Sequence, residues 1–179
     1  MADRPAPIRS AVTGAPGAGK STLLREVAKH GVAVGDEVAR GILQAEGGMA
    51  LRADDPQGFA LAMLEAQLAL WEAAPPNGGV IFYDRGFPDI AGFLRVEGLA
   101  VPTDVDRVCR THRYNGPIFH APAWREIYRQ DEERIQTWDE AVASDEAICA
   151  AWRDYGYELV ELPFAPPEER ARFVMERLG

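Results

Sequence analysis

The stretch of sequence that decides the fold is Gly14-Ala15-Pro16-Gly17-Ala18-Gly19-Lys20-Ser21, followed by Thr22. It matches G-x-x-x-x-G-K-[ST], the phosphate-binding P-loop, at every position. Glycines let such a loop turn its backbone N–H groups toward a phosphate, because they adopt dihedral angles and close approaches that side chains prevent. Lys20 then supplies a cation for the β- and γ-phosphates, and the Ser21 hydroxyl can bind Mg²⁺. We therefore predict that residues 14–22 bind a nucleotide.

The segments on either side of the loop support this interpretation. Residues 8–13 (I-R-S-A-V-T) alternate between apolar and polar or small residues, which predicts a short strand. Residues 21–30 (S-T-L-L-R-E-V-A-K-H) predict a helix that ends before Gly31. A strand, a glycine-rich loop and a helix are the context that a P-loop requires, and they disfavour the alternative of an ordinary glycine-rich turn.

Length, composition and charge limit the class of protein. The chain has 179 residues, of which 47% are apolar, so we expect a single domain over residues 1–179 with a sizeable core. The net charge is −9, which argues against a protein dedicated to binding nucleic acid. The beginning of the chain has no apolar signal segment, and no apolar run approaches about 20 residues. We therefore expect a cytoplasmic protein that does not span a membrane.

The cysteines and histidines show no pattern that predicts a metal or redox site. Two cysteines, Cys109 and Cys149, are too few and too far apart for a disulfide framework or a zinc cluster, so we expect both to be small buried side chains. The three histidines, His30, His112 and His120, have neither metal-binding spacing nor a nucleophilic partner. We expect each of them to be structural.

The rest of the chain alternates between predicted strands and predicted helices. The four further strands are at residues 31–34, 80–84, 118–121 and 156–163. The further helices are at residues 57–72, 88–97, 103–112 and 137–155, and residues 166–169 open a final one, whereas residues 41–55 predict a loop or a broken helix. Five strands between helices predict an α/β domain of three layers with a parallel sheet. We expect the P-loop strand to be central, with the strand at residues 80–84 beside it.

That neighbouring strand ends in an acidic residue. Four apolar or aromatic residues, Val80-Ile81-Phe82-Tyr83, precede Asp84. This is the Walker B pattern, in which a buried strand carries a carboxylate to the P-loop and there binds Mg²⁺. The alternative is that Asp84 caps the next helix.

Charged residues follow the second and third strands. Glu37 and Arg40 lie in the segment at residues 35–40, at the carboxyl edge of the sheet where ligands of open α/β folds bind. Arg85 directly follows Asp84. Two alternatives stay open: Glu37 is a surface acid, and Arg85 forms a structural ion pair with Asp89 or Glu37.

A polar segment at about residues 122–136 carries Arg125, Arg129 and Arg134. Arginines in this position after the fourth strand are typical of a lid that closes over transferred phosphate. Asp131 and Arg134 share a helical face, which makes Arg134 the first choice among the three.

The combined motifs resemble those of a known family. The motifs that carry the resemblance are the P-loop, D-E-V-A-R (36–40), Y-D-R-G-F-P-D (83–89), I-F-H-A-P-A-W-R-E-I-Y-R-Q-D-E-E-R (118–134) and G-Y-E-L-V-E-L-P (156–163). Together they look like a bacterial family of predicted ATPases described by the term "AAA domain", which is similar to the kinase domain of nicotinamide riboside kinases. The resemblance covers residues 8–178.

The resemblance implies a P-loop kinase fold with parallel strand order 2-3-1-4-5. It implies that Lys20 and Asp84 are catalytic and that Ser21 and Asp84 hold Mg²⁺. Asp84-Arg85 is similar to the Asp-Arg pair of nucleoside and nucleotide kinases, whose arginine meets the acceptor substrate.

Further roles follow from the same resemblance. Glu37 lies where such kinases place a carboxylate that accepts the proton of the acceptor hydroxyl, and Arg40 lies beside it as a substrate-binding candidate. Arg134 is the catalytic candidate of the lid. The loop Pro163-Phe164-Ala165 occupies the position where such kinases cradle adenine.

Two functions are consistent with this sequence. The first is an ATP- and Mg²⁺-dependent kinase that phosphorylates a hydroxyl of a small, nucleoside-like acceptor. The second is an ATPase that acts as a nucleotide-dependent switch for a protein partner.

No N-K-x-D sequence that would read guanine is present, so we expect ATP rather than GTP. A true AAA+ motor would need a helical lid domain and an arginine finger between subunits, and the layout is closer to that of a small-molecule kinase. The sequence leaves the acceptor and the oligomeric state open.

Overall fold

The computed structural model describes residues 6–73, 78–129 and 136–179. The secondary structure begins with β1 (Ile8–Gly14), α1 (Lys20–Ala28), β2 (Ala33–Gly35), α2 (Val38–Gln44), α3 (Gly48–Asp54) and α4 (Pro56–Glu72). It continues with β3 (Val80–Asp84), α5 (Phe87–Val96), α6 (Thr103–Thr111), β4 (Ile118–Ala121), α7 (Trp138–Asp154), β5 (Leu159–Glu161) and α8 (Pro167–Leu178). Within these ranges, no helix combines the length and apolar character that crossing a bilayer requires.

The five strands form one parallel sheet in the order β2-β3-β1-β4-β5. The P-loop strand β1 is central and pairs with β3, so that Val12 lies opposite Asp84. On its other side β1 pairs with β4, so that Gly14 lies opposite Ala121. The predicted parallel sheet, its central strand and the strand order implied by the resemblance are confirmed.

Both faces of the sheet are covered, as a parallel sheet requires. Tyr83 and Ile118 belong to a core formed with α4, α5, α6 and α7. Phe82 and Phe119 point to the opposite face, where α1 and α8 complete a second core. Alternation along β3 and β4 thus divides the interior into two cores, and the predicted three-layer arrangement is confirmed.

The helices and strands depart from the predicted bounds mainly at their ends. The segment at residues 41–55 forms the end of α2 and the whole of α3, with Gly47 between them in a left-handed conformation at φ +76°. The Asp55 side chain caps α4 by accepting a hydrogen bond from the Gly58 N–H at 2.9 Å. The last strand is shorter than predicted and keeps only Leu159–Glu161.

The topology places the ends of all five strands on one edge of the sheet. The P-loop follows β1, Glu37 follows β2 and Arg85 follows β3. The segments after β4 and β5 begin at residues 122 and 162. Because the carboxyl ends of parallel strands meet at one edge, the chain positions of these groups bring them together.

Candidate active site

The P-loop has the geometry that its glycines allow. Gly14 has φ +123°, and a Cβ atom at this position would lie 2.2 Å from the carbonyl oxygen of Ala121. Gly17 and Gly19 also have positive φ angles, of 71° and 82°. The Ala15 N–H donates to the Ala121 carbonyl at 3.1 Å. The loop is therefore fastened to β4 at its start, and only glycine fits at position 14.

Lys20 folds back onto the loop that carries it. Its side chain is 6% exposed, and Nζ donates to the Ala15 carbonyl at 2.5 Å and approaches the Gly14 carbonyl at 3.4 Å. Burial and the neighbouring Arg85 lower the pKa of Lys20 to about 8. An anion beside the ammonium group would favour its charged form and raise this pKa again.

Asp84 and Ser21 meet beneath the loop. The Ser21 hydroxyl donates to Asp84 Oδ2 at 3.1 Å, while Asp84 Oδ1 is buried without a hydrogen-bond partner among the described residues. Burial and the nearby Glu37 carboxylate raise the pKa of Asp84 to about 6. The helix that follows is capped at Gly86, so the alternative that Asp84 caps it is wrong.

These two side chains fit Mg²⁺. The ion prefers oxygen ligands, and a buried carboxylate oxygen without a donor is a position where a cation would offset the cost of burial. The hydroxyl of Ser21 supplies a second oxygen at hydrogen-bond distance from the same carboxylate.

Arg85 links three parts of the site. Its Nη1 donates to the Gly14 carbonyl at 3.1 Å and to Asp89 at 3.0 Å, and its Nε donates to Glu37 at 3.3 Å. Burial opposes the charge of the guanidinium, but Glu37, Asp89 and Asp84 together raise its pKa above the ordinary value. Both ion pairs of the structural alternative are therefore present. They do not exclude a role in binding, because Arg85 also lines the cavity.

Glu37 lies between two arginines at the start of α2. Arg85 is its nearer partner, and Arg40 Nε lies 3.8 Å from its other carboxylate oxygen. Burial opposes ionisation, but Arg85, Lys20 and Arg40 together lower the pKa of Glu37. Glu37 is thus an ionised carboxylate at neutral pH, positioned beside the P-loop rather than on the open surface.

Asp89 is a site residue that the sequence analysis mentioned only as a partner for Arg85. Its buried carboxylate accepts hydrogen bonds from the Thr13 hydroxyl at 2.6 Å, the Gly86 N–H at 2.8 Å and the Trp152 indole at 2.9 Å, besides the bond from Arg85. The signal available in the sequence was its position three residues after the helix cap, where an acidic residue binds the cap N–H.

One cavity of about 790 Å³ is lined by the P-loop, Glu37, Arg85 and Asp89, whereas Asp84 is not among its lining residues. Its central wall contains Lys20, Ser21, Glu37 and Arg85. Two further groups of side chains extend it. One group, from the segments after β4 and β5 and from α8, comprises Trp124, Ile127, Phe164, Ala165, Pro166 and Arg170. The other, from α4 and α5, comprises Phe59, Met63, Gln67, Ile90 and Phe93.

The first group surrounds Arg170, a residue that the sequence analysis did not identify. Arg170 is 2% exposed, and it donates from Nη1 to the Ala18 carbonyl at 2.7 Å and from Nε to the Pro163 carbonyl at 2.8 Å. Its guanidinium lies 4.9 Å from the ring centre of Trp124. Trp124 in turn lies 5.3 Å from Phe164, which is 57% exposed. Arg170 thus joins the P-loop to the loop that was expected to cradle adenine.

The second group contains an unpaired amide. Gln67 is 2% exposed, and its Nε2 has no hydrogen-bond partner among the described residues. It lies on the buried face of α4 with Phe59 and Met63. A buried amide without a partner costs free energy, so a ligand that accepts its hydrogen bond would be favoured here.

Of the three lid candidates, Arg125 and Arg129 are not brought to the P-loop. The Arg125 guanidinium lies 5.0 Å from the ring centre of Trp138. Arg129 donates to the carbonyls of Tyr128 at 2.7 Å and Glu126 at 3.2 Å. Neither side chain lines the cavity as the described residues define it, and Arg134 lies outside those residues.

Several solved kinases share this fold. A deoxyadenosine kinase from M. mycoides, with the products dcmp and a flexible dcdp bound, has a TM-score of 0.72 at 16% identity and covers 95% of this chain and 98% of its own. A shikimate kinase from Acinetobacter baumannii in complex with shikimate has a TM-score of 0.60 at 14% identity, with coverages of 95% and 92%. NadR protein in complex with NR has a TM-score of 0.66 at 18% identity and covers 97% of this chain, which spans only 50% of that protein.

The sequence itself identifies the family. No curated protein sequence matches the chain significantly. A family model described as an AAA domain matches residues 9–170. The strand order and the structural neighbours show that the fold is that of P-loop kinases. Because the family model covers nearly the whole chain, the protein belongs to the AAA domain family.

Proposed function

We propose that the protein is an ATP- and Mg²⁺-dependent kinase that phosphorylates a hydroxyl group of a small, nucleoside-like acceptor. The observation that carries this proposal is the single cavity that joins the P-loop, the Glu37–Arg85 pair and a largely apolar pocket. A protein that only hydrolysed ATP would not need the third of these parts.

The phosphate donor binds at the P-loop. The loop at residues 14–22 binds the phosphates through its backbone N–H groups, apart from Pro16, which has none, and Ala15, whose N–H donates to Ala121. Lys20 supplies a cation for the β- and γ-phosphates. Ser21 and Asp84 hold Mg²⁺, which when bound offsets the negative charge of the phosphates. The adenine lies toward Trp124 and Phe164, the aromatic side of the cavity, next to the loop at residues 163–165.

Glu37 and Arg85 serve the acceptor. In the transfer, the acceptor oxygen forms a bond to the γ-phosphorus as the bond from that phosphorus to the bridging oxygen of ADP breaks. The proton of the acceptor hydroxyl passes to the Glu37 carboxylate, which is ionised at neutral pH. Arg85 fixes the orientation of Glu37 through their 3.3 Å contact and lies close enough to bind the acceptor itself. Arg40 approaches Glu37 from the other side.

The acceptor pocket fits a flat molecule with a polar edge. Phe59 and Phe93, whose ring centres are 5.4 Å apart, form an apolar wall of this pocket, and the Gln67 amide offers a hydrogen-bond donor within the pocket. A heterocyclic base combines an apolar face with ring atoms that accept hydrogen bonds. A nucleoside also carries the hydroxyl group that the reaction requires. The names of two neighbours, a deoxyadenosine kinase and NadR in complex with NR, are consistent with this class.

Residues 1–179 form a single domain in this proposal, and the segment at about residues 122–136 closes over the phosphates as a lid. Arg125, Arg129 and Arg134 are its candidate phosphate ligands. Closure would have to move the first two away from the groups that they contact in this structure.

The test is incubation of the full chain with ATP, Mg²⁺ and a panel of nucleosides, deoxynucleosides, sugars and vitamins, followed by mass spectrometry. We expect a product heavier by one phosphoryl group from a nucleoside-like compound. The variant Glu37→Gln should retain ATP affinity in calorimetry and lose product formation.

Two outcomes would contradict the proposal. One is the absence of any phosphorylated product although ATP binds. The other is ATP hydrolysis that no acceptor accelerates, together with a protein partner that binds only in the presence of nucleotide, which would indicate the switch function instead.

A further inference from the structure

Three side chains with metal-binding atoms converge between β4 and α7, outside the lining of the cavity. They are His120, Asp145 and Cys149, and one ligand atom from each lies within 4.8 Å of the other two. His120 Nε2 lies 2.9 Å and 3.1 Å from the two carboxylate oxygens of Asp145. The Cys149 Sγ lies 3.6 Å from the nearer of these oxygens.

The fold holds these donors on two rigid elements. His120 is the third residue of β4 and pairs in register with Thr13, the residue before the P-loop. Asp145 and Cys149 are four residues apart on α7 and therefore project from the same side of that helix. Asp145 and Cys149 are buried, and His120 is nearly so. A site built on a helix and a strand keeps its geometry better than one built on loops.

Two of the three distances between ligand atoms are close to those of a tetrahedral metal site, and the third, between His120 and Cys149, is within 4.8 Å. Bonds from zinc to nitrogen and oxygen are about 2.0–2.2 Å and to sulfur about 2.3 Å, which separates neighbouring ligand atoms by roughly 3.3–3.7 Å. The carboxylate–thiol distance of 3.6 Å already has this value. The histidine–carboxylate distance of 2.9 Å needs to lengthen by a few tenths of an ångström.

The second nitrogen of the histidine also has a suitable neighbour. His120 Nδ1 faces Glu161 Oε2 at 3.9 Å. Histidines that bind a metal through one nitrogen commonly direct the other N–H toward a carboxylate, which fixes the orientation of the ring. Glu161 is on β5, the strand next to β4, so the sheet itself provides this partner.

We propose that His120, Asp145 and Cys149 bind one zinc-type transition-metal ion. A set of one nitrogen, one oxygen and one sulfur donor suits Zn²⁺ and Co²⁺, whereas Mg²⁺ requires oxygen ligands. Three protein ligands leave a fourth position for water or another small ligand. On binding, Cys149 releases its thiol proton to solvent. The imidazole of His120 changes tautomer: Nε2 gives up the proton that it donates to Asp145 in the free protein, and Nδ1, which faces Glu161, takes up one proton.

The bound ion would fasten α7 to the sheet beside the P-loop. Without an ion, Asp145 accepts hydrogen bonds from both partners, so the three groups are already assembled. This inference does not rest on the proposed kinase activity, and neither proposal falls if the other fails.

The test is a titration of the full chain with Co²⁺, after removal of metals with a chelator and in the absence of nucleotide. We expect saturation at one equivalent, a near-ultraviolet absorption band from cobalt–thiolate charge transfer, and intense visible bands typical of four-coordinate cobalt. Zn²⁺ should displace the signal, and excess Mg²⁺ should leave it unchanged.

Two serine variants form a matched pair. Cys149→Ser should abolish the charge-transfer band, whereas Cys109→Ser, at the other buried cysteine, should retain it. His120→Asn should weaken Co²⁺ binding by about tenfold or more. Absence of the thiolate band in the unmodified protein would overturn the proposal, and so would a band that Cys149→Ser leaves intact. The titration of the unmodified protein remains decisive if Cys149→Ser does not fold.

Discussion

Asp84 illustrates, at the scale of one residue, how a binding group can weaken the protein that carries it. Its carboxylate is buried beside Glu37, and one of its oxygens has no hydrogen-bond partner among the described residues. Its pKa is raised to about 6 from 3.8. Between these two values the folded state binds more protons than the unfolded state, so this carboxyl lowers stability as the pH rises through the window.

We therefore predict that Asp84→Asn stabilises the free protein at pH 7 and abolishes Mg²⁺-dependent activity. The gain in the free energy of unfolding should be on the order of 3 kcal/mol, following the size of the pKa shift. The measurement is denaturant titration without nucleotide or Mg²⁺. The difference in the free energy of unfolding between the variant and the unmodified protein should grow between pH 4 and pH 6 and stay constant above pH 6. A variant that is less stable than the unmodified protein at pH 7 would contradict this account.

Lys20 gives nucleotide binding a dependence on pH. Its pKa of about 8 means that the ammonium form predominates below pH 8 in the free protein and is lost above it. We predict that affinity for Mg·ATP, measured by calorimetry, is highest near neutral pH and falls as the pH rises from 8 to 10. Lys20→Met should bind weakly and lose this alkaline decline. An unmodified protein whose affinity stays constant over that range would show that Lys20 does not titrate there.

Gln67 should act on the acceptor alone. We predict that Gln67→Leu raises KM for the acceptor while KM for ATP and kcat change little, because this residue with an unpaired amide lines the end of the cavity proposed for the acceptor. Stability should stay the same or rise by about 1 kcal/mol, since a buried amide without a partner is removed. Gln57→Leu, at an exposed position on the same helix, is the control for the substitution itself. Equal effects of the two variants on acceptor KM would contradict the assignment.

At the scale of elements, α8 is tied to the phosphate loop through Arg170. The guanidinium satisfies the carbonyls of Ala18 and Pro163, which lie in the two loops that would hold the two ends of ATP. We predict that Arg170→Met costs roughly 1–3 kcal/mol of stability, because two carbonyls lose a charged donor. It should also raise KM for ATP more than KM for the acceptor. Arg172→Met, at an exposed position on α8, should change neither the stability nor the two KM values.

Local sequence patterns predicted the elements that carry the site. The P-loop, the strand that ends at Asp84 and the strand at Ile118–Ala121 follow from glycine positions and apolar runs within a few residues of one another. Residues 41–55 were predicted to be a loop or a broken helix, and the break at Gly47 agrees with the second of these. The sequence did not show that the residues on both sides of the break are helical.

The remaining site residues come together only through the fold. Arg170 reaches Ala18, which is 152 residues away in the chain, and Trp152 donates to Asp89 across 63 residues. No spacing rule connects such pairs. For the same reason His120 and Asp145, 25 residues apart on different elements, showed no metal-binding pattern in the sequence.

At the scale of the whole molecule, the cavity lies where the two cores meet the carboxyl edge of the sheet. In the proposed kinase, the core under α1 and α8 would support the phosphate and adenine side, and the core under α4 and α5 would support the acceptor side. Among the described residues the sheet contributes to both cores, whereas the P-loop residues Ala15 and Ala18 belong to the core under α1 and α8. The net charge of −9 adds a general repulsion of anions, so the local cations Lys20, Arg85 and Arg170 must provide the attraction for a nucleotide.

The contacts of Lys20 change how the arrival of a nucleotide should be understood. Its ammonium group already donates to the carbonyls of Gly14 and Ala15, so these carbonyls contact the cation in place of phosphate oxygens. Binding is then an exchange, in which a phosphate oxygen competes with the loop's own carbonyls for the same cation. An anion displaces these carbonyls only if it attracts the ammonium group more strongly than they do. A triphosphate would meet this condition, whereas a weakly charged anion would not. Selection among anions thus begins with a contact that the loop makes to itself.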